Sequence, residues 1–119
     1  MIPAPPWSLS YADGSANVFR FTATASGVHV VYDPVTPATS STGMYSGGAP
    51  LDAQLAPDDP RIAMLWQHVR GLEADTAHHV ADRCKGDGAL TIDGRTVLIA
   101  RAATRTFEAW LTSAILGPT

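Results

Sequence analysis

Two groups of residues in this chain have types and spacings that chemistry can use. The first lies in the segment from Asp33 to Pro57, DPVTPATSSTGMYSGGAPLDAQLAP. Thr39, Ser40, Ser41 and Thr42 are followed by Gly43, and Tyr45 by Ser46, Gly47 and Gly48. Hydroxyls both donate and accept hydrogen bonds, and glycines let the backbone approach a ligand closely. Consecutive amides in such a stretch can also form a concave anion site. The phosphate loop of nucleotide hydrolases needs a Lys after the glycines and a helix directly behind it. Neither requirement is met: no Lys or Arg stands between Arg20 and Arg61, and the next helix signal comes only at Asp59. The remaining reading is a loop over a pocket, contributed by Ser40, Ser41, Thr42, Gly43, Tyr45, Ser46 and Gly47, with the start of the following helix beside it. The plainer alternative is a packed loop whose Met44 and Tyr45 dip into the core.

The second group is Asp75, His78, His79 and Asp82. On one continuous helix Asp75 would meet His79 and His78 would meet Asp82, each a helical turn apart. A carboxylate that orients an imidazole is the usual arrangement of a general base. The two histidines diverge by about 100° around a helix axis, and the H-E-x-x-H zinc signature is absent, so no metal and no cofactor are expected. The ordinary reading is a solvated face with local ion pairs. Nucleophilic hydrolysis would need Ser40, Ser41 or Ser46 held near His29, His68 or His79, but no G-x-S-x-G elbow is present. Cys84 falls on the apolar stripe of the same helix, and a buried, inert thiol is expected there.

The elements that must position these groups follow from hydrophobic periodicity. Trp7, Leu9 and Tyr11 alternate with Ser8 and Ser10, and Phe19, Phe21 and Ala23 alternate with Arg20 and Thr22. Asp13-Gly14 between them signals a hairpin, and Val28 to Tyr32 forms a third strand, stopped by Asp33-Pro34. Asp59 is a helix cap with Pro60 at the first helical position. Ile62, Leu65, Trp66, Val69, Leu72, Ala77, Val80 and Cys84 then recur at helical steps, which predicts one helix running to Lys85-Gly86. Leu90 to Ile92 and Arg95 to Ala100 flank Asp93-Gly94, a two-residue hairpin turn of the favoured kind. A last helix, capped by Thr104 or Thr106, carries Phe107, Trp110, Leu111, Ala114 and Ile115. The predicted class is α+β: about five mainly antiparallel strands with two helices on one face, in the order β-β-β-(long loop)-α-β-β-α. Residues 1–119 are read as a single domain, with the long loop spanning residues 33–57 and lacking regular structure.

Composition bounds the function. Hydrophobic residues make up 45% and charged residues 16% of the 119, enough for one real core. A net charge of −3, with Lys and Arg scattered from Arg20 to Arg105, argues against nucleic acid, so a basic patch would have to be assembled by folding. No window is apolar enough to span a membrane, the first residues lack the pattern of a signal peptide, and a single cysteine suits a reducing compartment. A cytoplasmic protein is expected. The outer sheet face mixes Ser8, Ser10, Arg20, Thr22 and Thr91 with Val18, His29, Val31 and Leu98, which makes a second copy of the chain a candidate partner. The leading reading is a non-enzymatic module that binds a small molecule or a protein through residues 39–48. The runner-up is a small hydrolase- or transferase-like enzyme joining loop hydroxyls to the pair Asp75 and His79. A structural subunit of a larger assembly is the third.

Overall fold

The computed structural model describes residues 2–117. Seven strands, β1 (Trp7–Ala12), β2 (Val18–Thr24), β3 (Gly27–Asp33), β4 (Leu51–Leu55), β5 (His79–Val80), β6 (Gly88–Ile92) and β7 (Arg95–Ile99), form one sheet. Their order is β4-β3-β2-β1-β6-β7-β5, with every neighbouring pair antiparallel. Two helices, α1 (Pro60–Ala74) and α2 (Arg101–Trp110), complete an α+β fold. The class and the two helices agree with the sequence, but the strand count rises from five to seven.

Period-two alternation sets the layers. Leu9 of β1 lies between Phe21 of β2 and Ile92 of β6, and Tyr11 lies between Phe19 and Leu90. These residues point to one side, where Ile62, Leu65, Trp66, Val69 and Leu72 of α1 and Phe107 of α2 bury their stripes against them. Trp7 meets Trp66 edge-on at 5.0 Å, and Tyr11 meets Phe107 edge-on at 5.0 Å. Burying such side chains contributes about 1.5–3 kcal/mol each, so this single cluster holds the fold together. The opposite face carries Ser8, Arg20, Thr22 and His29, all exposed. None of the described helices is long and apolar enough to cross a membrane.

The structure corrects the boundaries in three places. Residues 33–57 are not structureless throughout, because Leu51–Leu55 pairs with β3 as an edge strand, Leu55 opposite Val28 and Leu51 opposite Tyr32. Leu51, Ala53 and Leu55 turn inward while Asp52 and Gln54 face solvent. Helix α1 ends at Ala74 instead of running to Lys85: Asp75 leaves helical geometry, Thr76–His78 makes one tight turn, and His79–Val80 joins the sheet beside β7. Ala77 and Cys84 are exposed, so their helical spacing was coincidental. Finally, α2 begins at Arg101, and Leu111–Ile115 extends it as one wide turn that buries Leu111 and Ile115. Its cap is neither Thr104 nor Thr106. The buried Asp87 carboxylate does that work, accepting the Arg101 amide at 3.0 Å and the Cys84 amide at 2.9 Å.

Candidate functional site

The loop between β3 and β4 is fastened by one residue that sequence reasoning passed over. Asn17 follows the β1–β2 turn and is only 3% exposed. Its backbone amide and side-chain nitrogen donate to the Asp13 carboxylate at 3.0 Å each. The same nitrogen donates to the Tyr45 hydroxyl at 2.9 Å, while the Asn17 Oδ1 accepts the Val35 amide at 2.8 Å. Both feet of the loop therefore meet at one amide side chain. Gly47 closes the attachment, its amide donating to the Val35 carbonyl at 2.8 Å and its carbonyl accepting the Tyr32 hydroxyl at 2.6 Å. Burial pushes the Tyr32 phenol above its usual range. A Cβ on Gly47 would come within 1.9 Å of the Asn17 Oδ1, so the close approach requires glycine.

Between these feet the chain turns twice. The Thr39 and Ser40 amides donate to the Thr36 carbonyl, and the Gly43 amide to Ser40. Thr39, Ser40, Ser41, Thr42 and Tyr45 then face Gly14, Ser15, Ala16, Val35 and Lys85 across a cleft of about 500 Å³, within the size of small-molecule sites. Of the residues singled out from sequence, Ser40, Ser41, Thr42 and Tyr45 line this cleft. Gly43 supplies a turn at φ 74, the Ser46 hydroxyl accepts the Gly48 amide, and Gly47 is the docking contact. Met44 is 85% exposed and Tyr45 40%, so neither dips into the core. Asp59 is not part of the cleft. It caps α1 through the Arg61 amide at 2.9 Å and pairs with the Arg61 guanidinium at 2.8 Å. That hydrogen bond holds its carboxyl below the usual range.

The histidines are distributed differently from the helical reading. Because α1 ends at Ala74, Asp75 does not meet His79; it pairs with His78, Nδ1 to Oδ2, at 2.7 Å. His79 Nε2 instead lies 2.9 Å from the Leu72 carbonyl. His68 packs tilted against Trp110 and Phe107, with ring centroids 5.2 and 5.6 Å away, and burial pushes its imidazole pKa down. Among the described residues, no loop hydroxyl forms a hydrogen bond with any of these rings. The formation of β4 gives His29 a partner that its own strand did not offer: Asp52 lies 2.7 Å from its Nε2 on the open sheet face. No cluster of three His, Cys, Asp or Glu residues that could hold a metal ion occurs among the described residues.

Two other concavities are smaller. An apolar groove between Trp7, Val28 and Ile62, bordered by Pro3 and Pro5, encloses about 110 Å³. A polar hollow of about 220 Å³ lies on the open face among Ser8, Ser10, Arg20, Thr22 and Thr91. The hydroxyl-lined cleft is larger than both, and its wall is fixed by a buried polar network. No protein-family model matches this chain, and no curated protein and no solved structure matches it either.

Proposed function

We propose that this protein is a non-enzymatic binding module whose ligand is a small polar molecule held in the cleft beneath residues 39–45. One observation carries the reading: a buried Asn fastens both ends of a loop whose hydroxyls line a cleft of about 500 Å³. A buried, satisfied polar network rigidifies what it joins, and a preorganised wall lowers the ordering cost of binding. The Ser41 and Ser15 hydroxyls make no hydrogen bond among the described residues and are free to meet a ligand. The enzyme alternative gains no support from this geometry, since among the described residues no imidazole or carboxylate forms a hydrogen bond with the loop hydroxyls. The reading includes a cytoplasmic protein, in keeping with its one free, exposed thiol.

The test is an amide chemical-shift screen of the labelled protein against uncharged sugars and polyols. The expected result is saturable perturbation confined to residues 14–16 and 39–45, with the added compound recovered unchanged. Perturbation centred elsewhere, or conversion of the compound, would overturn the reading.

A further inference from the structure

The hydroxyl-lined cleft shares Gly14, Ser15 and Lys85 with a second hollow of about 380 Å³, lined also by Asp13, Gly86, Arg101, Arg105 and Glu108. The β6–β7 hairpin assembles this end. Gly88 pairs with Ile99, so Lys85 and Gly86, just before the hairpin, lie beside Arg101, just after it. Arg105 follows one helical turn later on α2. A Cβ on Gly86 would come within 2.7 Å of the Arg101 side chain, and one on Gly14 within 2.5 Å of Gly86. The β1–β2 turn and the segment before β6 are thus packed backbone on backbone at Gly14 and Gly86. Arg83 ties them further, donating to the Asp13 carbonyl at 2.6 Å and to the Asp87 carbonyl at 3.1 Å.

The charges here are unequally committed. Both carboxylates lining the hollow already have donors: Asp13 accepts the Ser15 amide at 2.9 Å and both Asn17 nitrogens, and Glu108 accepts the buried Tyr11 hydroxyl. Asp87, behind them, is occupied by two backbone amides. The cations are not engaged. Among the described residues, the side chains of Lys85, Arg101 and Arg105 make neither an ion pair nor a hydrogen bond, and all three are exposed. Three uncommitted cations line one hollow, and two of them are guanidinium forks, the side-chain type that recognises phosphate oxygens.

We propose that this end of the cleft binds the phosphate group of a small ligand, with Lys85, Arg101 and Arg105 as its contacts. The inference rests on the binding reading above for the ligand's uncharged part, which would lie toward Ser15 and residues 39–42. Three cations are too few for a nucleic-acid track, which needs a longer basic face.

The experiment is calorimetric titration at fixed ionic strength with inorganic phosphate, ribose 5-phosphate and ribose. Phosphate is expected to bind at one saturable site, and Lys85→Ala and Arg105→Ala each to weaken it by about tenfold. Arg95→Ala, at the far end of the sheet, is expected to leave it unchanged. Both test side chains are exposed and unpartnered, so folding is not at stake. No saturable binding of phosphate or ribose 5-phosphate up to roughly 10 mM, or binding indifferent to both variants, would overturn the proposal. Ribose 5-phosphate reads the underlying claim separately. Binding about tenfold tighter than phosphate supports a ligand body in the loop cleft. Equal affinity would sink the loop reading and leave the phosphate site standing.

Discussion

At the scale of single residues, burial decides which polar groups stay neutral. The His68 ring, enclosed by Phe107 and Trp110, forms no ion pair among the described residues, and burial alone lowers its pKa from 6.5. The sign of the consequence is fixed. Just below 6.5 the unfolded chain takes up a proton that the folded chain refuses, so stability is full above that value and falls as pH drops. His68→Phe keeps the ring contacts and removes the titration. Denaturant midpoints between about pH 8 and about pH 5 are therefore expected to fall more for the parent protein than for the variant. Parallel pH dependence in the two would contradict this account of His68. Asn17 shows the same physics with the polar group satisfied. Hydrogen bonds to three residues, Asp13, Val35 and Tyr45, inside a 3% exposed site turn a costly burial into a fastening point.

At the scale of elements, what was legible depended on whether local sequence carried the decisive contact. The Asp93-Gly94 hairpin was readable because both turn residues take positive φ, 47 and 85, which that dipeptide favours. Strand β4 was harder to read. LDAQL does alternate, but Asp, Gln and Ala are poor strand formers, and the strand is stabilised by pairing with β3, distant in sequence. The end of α1 was hidden by Ala77, Val80 and Cys84 continuing the helical spacing, while the pull toward the sheet came from β7. The cap of α2 was invisible for a related reason, since Asp87 lies across a whole hairpin from the amide it accepts. That cap makes a direct prediction. Asp87→Ala leaves two amides without acceptors and is expected to cost about 2 kcal/mol, whereas Asp87→Asn, which keeps one acceptor, loses about half as much. Equal losses on chemical denaturation would show that Asp87 does not act as the shared acceptor.

At the scale of the whole molecule, folding creates a charge distribution that composition conceals. The chain carries a net charge of −3 with no basic run, yet the hairpin and α2 gather Lys85, Arg101 and Arg105 at one end of the sheet. The hydroxyl loop reaches the same end because Asn17, after the β1–β2 turn, holds it there. The loop's composition marked it as a candidate site, but not the residue that fixes it: Asn17 declares itself only when Val35 and Tyr45 are brought to it. The whole reading depends on that docking. Its most direct test is amide hydrogen exchange at Val35 and Gly47 in the parent protein and in Asn17→Ala. The account predicts both amides protected by about a hundredfold in the parent. In the variant that protection is expected to vanish, with about 2–3 kcal/mol of stability lost, while β2 and β3 remain protected. Exchange at the unprotected rate in the parent itself would make the loop a tether and leave the cleft without a wall.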